Sequence, residues 1–345
     1  MTFYVGADLH ARSVQVSVLD EQGEVVAERS LPVAPKDFMD FLARYRPDCQ
    51  VAVESMGSHY WLVDALEEEG VDFQLAHPLM VKAIAYAKVK TDKADARTIA
   101  SLLRLGMLPR AYNYPKALRP IRDLSRRRAM LVGERALHYR DIQYLHQQMA
   151  LGTPSRDGVK KLSASELEER FKAPATSLYV GSLAEINGCL TKQITKIEKF
   201  LHEEFRENRF YEGLMGIPGV GKTYGQEILL ESGDVRRFPT HRQYVSYARL
   251  VPGSNNSGGK VRTGGNSKQG NAKLKNAFRQ VALRAVMCDR AVKGFYERKL
   301  KVVHRKNIAY AIVARKIAVA AYMVLRGETL VMSKIFGEAK VEQLA

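Results

Sequence analysis

The chain has 345 residues, 46% hydrophobic and 26% charged, with 12 prolines, so it holds enough apolar material for a sizeable core and is not a disordered chain. No uninterrupted apolar run reaches the roughly 18 residues of a membrane span, and MTFYVGADLH lacks a basic-then-apolar signal pattern, so the expected location is the cytoplasm. Cys49, Cys189 and Cys288 are odd in number and far apart, which argues against a disulfide framework or a cysteine zinc site.

The net charge of +17 is segregated: residues 1–110 carry −4 and the remainder +21. Within 260–306, 14 basic residues are opposed only by Asp289 and Glu297. Such a field suits a polyphosphate, because each neutralised phosphate releases counterions. Nucleic acid is the expected partner; a merely soluble basic surface is the plainer alternative.

In chain order, Phe3–Ala7 is a short apolar run, Val14–Leu19 alternates by twos, and the turn Asp20-Glu21-Gln22-Gly23 leads into Glu24–Leu31. Lys36–Tyr45 has helical spacing through Phe38, Phe41 and Leu42. Gln50–Val53 reads as a buried strand, His59–Glu69 as a helix closed by Gly70, and Val71–Ala76 as another strand. Three strands, helix, strand, helix, strand is the order of a ribonuclease-H-like α/β sheet. From Thr91 the pattern turns helical. Ala94–Leu105 is amphipathic, and 117–150 is a long helix with Arg119, Arg122, Arg126, Arg127, Arg128, Arg135 and Arg140 on its expected outer face. A Gly/Ser/Pro loop (Gly152–Gly158) precedes a second long helix over 182–208, and the pair reads as an antiparallel coiled coil or a plain bundle. The rest is mainly α, and the last dozen residues read as a tail.

Four carboxylates stand out. Asp8 ends the first strand, Glu54 ends the fourth, and Asp92 and Asp95 share a helix face by their spacing. In this strand order the first and fourth strands are neighbours, so Asp8 and Glu54 converge. An all-oxygen set suits Mg2+ or Mn2+, and two such ions can clamp an in-line phosphoryl displacement. Strand-end and cap carboxylates without catalytic duty are the alternative. Gly6-Ala7-Asp8-Leu9-His10 also resembles the first phosphate loop of actin-like sugar kinases, but Leu9 and His10 stand where such a loop needs glycine. His10 neighbours Asp8 and receives no assigned function.

Gly216-Ile217-Pro218-Gly219-Val220-Gly221-Lys222-Thr223 matches the P-loop pattern letter for letter, yet a charged helix end precedes it where a P-loop needs a buried strand. The better reading is a helix-hairpin-helix whose Gly219, Gly221 and Lys222 meet a phosphate. Further on, Ser257-Gly258-Gly259-Lys260 opens a Gly-rich stretch with Arg262, Lys268 and Lys273. Chemistry alone favours a phosphate-gripping loop, since a serine needs a base or metal to become a nucleophile. Arg126 and Arg127 are further candidate nucleic-acid contacts.

Gly6-Ala7-Asp8, Val53-Glu54-Ser55 and Lys90-Thr91-Asp92-Lys93-Ala94-Asp95-Ala96 resemble the acidic motifs of Asp-Glu-Asp-Asp (DEDD) transposases of the IS "one-ten" family, which includes Piv-type DNA invertases. Ile217-Pro218-Gly219-Val220-Gly221, Leu250-Val251-Pro252 and Ser257-Gly258-Gly259-Lys260 are similar to that family's C-terminal domain. The resemblance implies a RuvC-like catalytic domain (1–112), a helical coiled-coil linker (113–208), a C-terminal transposase domain (209–332) and a tail (333–345). It implies metal binding by Asp8, Glu54, Asp92 and Asp95, and a 5′-phosphoserine formed by Ser257. It further implies a guide RNA from the element, element-junction and target DNA as substrates, and a homo-oligomer whose site is shared between protomers. A water-using nuclease and a non-catalytic nucleic-acid-binding protein are the alternatives.

Overall fold

Alternating apolar residues build the N-terminal sheet of the structure, a computed structural model that describes residues 1–84, 91–152, 154–257, 260–264, 269–330 and 332–337, with backbone alone for 253–257, 260–264, 332 and 334. The chain divides into two compact units, Met1–Lys116 and Ala117–Ala345. In the first unit the elements run β1 (Phe3–Leu9), β2 (Ser13–Leu19), β3 (Val25–Pro32), α1 (Pro35–Leu42), β4 (Cys49–Glu54), α2 (Tyr60–Glu68), β5 (Phe73–Ala76), α3 (Pro78–Ile84) and α4 (Asp92–Arg104). The sheet order is β3-β2-β1-β4-β5, with β1–β2 and β2–β3 antiparallel and β1–β4 and β4–β5 parallel. The tight β2–β3 turn is closed by Asp20, whose Oδ1 accepts from the amides of Gly23 and Glu24 at 2.8 Å, with Gly23 at φ +92°.

Strand periodicity sorts the side chains between two faces. Val5, Ala7 and Leu9 of β1 and Val51 and Val53 of β4 pack with Phe38, Phe41 and Leu42 of α1 and Leu62, Val63 and Leu66 of α2. Ala52 faces the other way and packs with Ile99, Leu102 and Leu103 of α4, joined by Tyr4 of β1. Gly6 and Asp8 share the parity of Tyr4, and Glu54 shares that of Ala52. Both carboxylates therefore stand on the α4 side of the sheet.

The second unit begins with α5 (Arg119–Gln148), the short α6 (Arg156–Lys160) and α7 (Ala164–Glu168), and α8 (Pro174–Glu204). Arg128 pairs with Glu198, Arg135 with Thr191 and His138 with Asn187, so α5 and α8 run antiparallel. Then follow α9 (Arg209–Met215), α10 (Lys222–Ser232), α11 (His241–Tyr247), the hairpin β6 (Gly253–Ser257) and β7 (Lys260–Gly264), α12 (Ala272–Cys288), α13 (Arg290–Val303), α14 (Lys306–Leu325) and α15 (Met332–Phe336). The core centres on α12 and α14, with Phe278, Val281, Ala282, Val313, Ile317 and Ala318 fully buried. α14 is long and apolar enough to cross a membrane by length and composition, but much of it lies in this core.

Three expectations are corrected. The basic face of α5 does not simply point outward: Arg119 is buried, and Arg126 and Arg128 are ion-paired within the unit. The Gly-rich loop from residue 253 begins as a two-stranded hairpin, a Gly-Gly dipeptide between two five-residue runs being a hairpin signal. The expected tail from residue 333 starts as a docked helix. Ile335 and Phe336 are buried, the Phe336 ring lies 5.5 Å from that of Phe295, and Arg298 donates to the Phe336 carbonyl at 3.1 Å. Residues 338–345 lie outside the described residues.

Candidate active site

β1, the central strand, carries Asp8 near its C-terminal end, buried to 4% exposure. The parallel register pairs Ala7 with Val53, so Asp8 and Glu54 are the next residues on adjacent strands. Glu54 is half-buried. The third arm is the N-terminus of α4, where the Thr91 hydroxyl caps the helix by accepting from the Ala94 amide at 3.2 Å. Asp92 and Asp95 occupy the first turn, where the helix dipole favours negative charge.

Gly6 sets how close α4 comes. A Cβ there would collide with the Ala96 carbonyl oxygen and stand 2.6 Å from the Ala100 amide nitrogen, so the helix backbone rests directly on β1. That approach brings Asp92 to the end of the strand that carries Asp8. His10 lies between them, with Nε2 at 3.2 Å from Asp8 Oδ2 and 3.4 Å from Asp92 Oδ2. The donor atoms of Asp8, His10 and Asp92 all lie within 4.8 Å of one another. A buried carboxylate is costly unless a cation or hydrogen bonds compensate it, and two carboxylates from separate elements repel. The cluster therefore fits a divalent cation, with oxygen ligands suited to Mg2+ or Mn2+ and an imidazole nitrogen that Mn2+ accepts readily. His10, whose nearness to Asp8 was visible in the sequence but carried no assigned role there, joins the cluster; its signal is the two-residue step from Asp8.

The other candidates fall in the helical unit. Ser257 ends β6, and the register pairs it with Lys260; Arg262 lies on β7 opposite Asn255. Lys268 lies outside the described residues. The feet of the hairpin segment are firmly tied. The Tyr247 carbonyl accepts from the Asn271 amide at 2.6 Å, and the Gly270 carbonyl accepts from Arg249 Nε at 2.9 Å. Gly270 has φ +95°, and a Cβ there would run into the Tyr247 carbonyl.

Asn271 also caps α12, its Oδ1 accepting from the amides of Lys273 and Leu274, while Nδ2 donates to Glu231 Oε2 at 2.7 Å. Arg126 closes on the same carboxylate as a two-toothed clamp at 2.6 and 2.9 Å, and Arg122 stands 3.6 Å away. Burial pushes Glu231 upward, but these hydrogen bonds and positive charges outweigh it and hold its carboxyl below the usual range. Arg126 is thus spent on the interior of its own unit. Arg127 is exposed, 3.7 Å from Glu134.

The P-loop look-alike is a turn between helices α9 and α10, with no strand before it. Gly219, at φ +81°, faces α12: a Cβ would stand 2.5 Å from the Ala285 nitrogen and 2.6 Å from the Val281 oxygen. Close packing accounts for that glycine. Gly221 caps α10 beside open space, and Lys222 Nζ donates to His202 Nε2 at 2.9 Å.

Next to Glu231 lies a second buried acid. Burial, and then the Glu231 charge, push Glu227 up to about 7, against smaller opposite effects of Lys273 and Arg128. An acid raised in the native state holds its proton there after the unfolded chain has lost it, so stability falls as pH rises from about 4.5 to about 7 and then levels. Glu227→Gln removes this loss. The variant is expected to match the native protein near pH 5 and to exceed it by about 1–3 kcal/mol at pH 8, read from denaturant midpoints across that range. Parallel curves at both pH values would contradict the assignment.

Comparison with known proteins gives the class of protein. Residues 5–152 match a transposase family model of the IS110 type, and residues 211–297 match the model described as transposase IS116/IS110/IS902 family. A probable family 20 transposase of Pseudomonas aeruginosa is 27% identical over 293 residues, 82% of this chain and 84% of its own. The transposase for insertion sequence element IS1328 of Yersinia enterocolitica is 24% identical, covering 81% and 82%. The transposase for insertion sequence element IS1111A of Coxiella burnetii is 27% identical, covering 79% and 74%. The matched segments and relatives are transposases, which defines an enzyme that cleaves and transfers DNA strands. Within that class, the chain belongs to the IS110 family of insertion-sequence transposases.

Proposed function

We propose that the chain is an RNA-guided DNA recombinase that moves its own element through a serine-linked intermediate. The observation that carries this reading is the convergence of Asp8, His10 and Asp92 at the end of the β1 strand, with Glu54 next in register on β4. The strand order β3-β2-β1-β4-β5 supports an RNase-H-like, RuvC-like fold for this unit. Asp8, Glu54, Asp92 and Asp95 are the residues that would hold Mg2+ or Mn2+. Bound there, the ion would neutralise charge developing on the phosphoryl oxygens.

Ser257 is the proposed nucleophile. Its Oγ forms a bond to phosphorus as the P–O3′ bond breaks; the hydroxyl proton leaves to solvent and the freed 3′ oxygen takes one up. Attack of a 3′ hydroxyl on the phosphoserine reverses these changes and rejoins a strand, so the exchange needs no outside energy source. The hairpin feet at Tyr247, Arg249, Gly270 and Asn271 support a fixed presentation of that serine. The guide RNA and the DNA share the basic field of the helical unit. A homo-oligomer with carboxylates from one protomer and serine from another fits the exposed apolar residues at heptad spacing on the long helices: Met130, Leu137 and Tyr144 on α5, and Tyr179, Ile186 and Phe200 on α8.

The test incubates protein, Mg2+ and RNA from the element's flank with end-labelled junction DNA, and looks for a denaturation-resistant protein–DNA band. The band is expected with the native chain and absent with Ser257→Ala and with Asp8→Ala. Free nicks without an adduct, unaffected by Ser257→Ala, would replace this reading with a nuclease that uses water.

A further inference from the structure

A cavity of about 430 Å3 opens in the helical unit where α11, α13 and α14 meet. Four cations from three helices line it: Arg242 from α11, Lys299 from α13, and Arg315 and Lys316 from α14, with His241 beside them. No carboxylate lines the cavity, and among the described residues none of the four cations has an acidic partner. Lys299 instead lies 5.5 Å from the centroid of the Phe295 ring, which forms part of the wall.

The setting of Arg315 and Lys316 is unusual for a core helix. Beyond Lys306 they are the only charged residues of α14, whose other faces bury Ala309, Val313, Ile317 and Ala321. Arg242 and Arg315 are exposed and Lys299 and Lys316 half-buried, so the four present like charges around one cavity, where they repel one another and no carboxylate offsets them. The arginines of α5 differ: Arg126 is spent on Glu231 and Arg128 on Glu198. Convergent positive charge without a counter-charge, in a concave site with an apolar wall, is an arrangement completed by an anion from outside.

We propose that this cavity is a phosphate-binding pocket for the backbone of a nucleic-acid strand held by the helical unit. It rests on the reading of the chain as a nucleic-acid enzyme and not on the serine chemistry. The two guanidiniums can each grip a phosphate oxygen pair, and the two ammoniums act as point charges. The apolar wall offers no base-reading groups, so the contact positions a strand without reading its sequence.

The test measures binding of the full chain to a random-sequence DNA duplex and to a single-stranded RNA of equal length, by fluorescence anisotropy across a salt series. The double variant Arg315→Gln/Lys316→Gln and the separate variant Arg242→Gln are compared with the native chain. The double variant is expected to bind at least one probe about 10-fold more weakly at moderate salt, with the logarithmic salt slope reduced by about 1–2. Its thermal midpoint at low salt should hold or rise, because repulsion is relieved. Loss confined to the duplex assigns the pocket to DNA, and loss confined to the RNA assigns it to RNA; either supports the proposal. Unchanged affinity and slope with both probes overturn it. If the double variant melts lower, Arg242→Gln decides alone: weakened binding supports the pocket and native binding overturns it. A native chain that binds neither probe would sink the nucleic-acid reading together with the pocket.

Discussion

Glu231→Ala is expected to destabilise the helical unit by about 3–5 kcal/mol. Its side chain is 2% exposed and is reached by three partners from two other elements: Arg126 and Arg122 of α5 and Asn271 at the start of α12. Truncation removes the carboxylate that neutralises Arg126 and Arg122 and the shortest of the hydrogen bonds made by Asn271 Nδ2, and leaves a void at the meeting point of α5, α10 and α12. It also weakens the hold on Asn271, whose side chain caps the first turn of α12 and which directly follows the glycine at the foot of the serine hairpin. With a unit of this size, the thermal midpoint should fall by roughly 10 °C. Arg126→Ala combined with Glu231→Ala should cost clearly less than the sum of the two, because each change removes the same clamp. The acid side of the pH profile carries the same signature: Glu231 is held below its ordinary range, so its contribution is present at neutral pH and disappears as pH falls through its native value. Simple additivity, with a midpoint shift of a degree or two, would show that the pair is not a structural clamp.

That clamp joins residues 105 positions apart, and for this reason the sequence concealed it. A row of arginines along a predicted helix looks like a surface for phosphate, and nothing local reveals that one of them is claimed by a carboxylate on α10. Elsewhere local signals were enough. The alternation of β1 and β2, the Asp-to-Gly turn before β3 and the helical spacing of α1 and α2 are all short-range patterns, and they fix the element order of the first unit. Asp8 and Glu54 stood out in the sequence because each lies at the end of an apolar strand pattern; in the structure Glu54 ends β4 and Asp8 is the last but one of β1. For His10 only the nearness to Asp8 was visible, since its place between Asp8 and Asp92 depends on how closely α4 is packed. The phosphate-loop look-alike shows the converse: its eight letters match, but the preceding α9 settles it as a turn between helices, and Gly219 answers to α12.

Gly6→Ala tests that close packing, and it is expected to disable the proposed metal site while leaving Asp8, Glu54, Asp92 and Asp95 in the chain. The added methyl has no room, because the atoms it meets are the backbone of α4 at Ala96 and Ala100, which cannot rotate aside as a side-chain end would. Either α4 lifts from the sheet or β1 buckles. Overpacking of this kind costs about 1–3 kcal/mol, so a lower melting point of the first unit is the first expected result. The second follows from position. Asp92 and Asp95 occupy the first turn of the helix that must move, whereas Asp8 and Glu54 stay with the sheet. A displacement of about 1 Å between the two halves of a phosphoryl-transfer site is enough to lower the rate about 100-fold. Strand cleavage by Gly6→Ala should therefore fall by about that factor with a native-like circular dichroism spectrum, and Mn2+ binding should weaken in parallel. Ala7→Gly, on the opposite face of the same strand, is the control: it loosens the packing toward α1 and α2 without pressing on α4, so it should lower stability but retain far more cleavage. Equal cleavage by the Gly6→Ala and native chains would mean that α4 does not set the geometry of the acids.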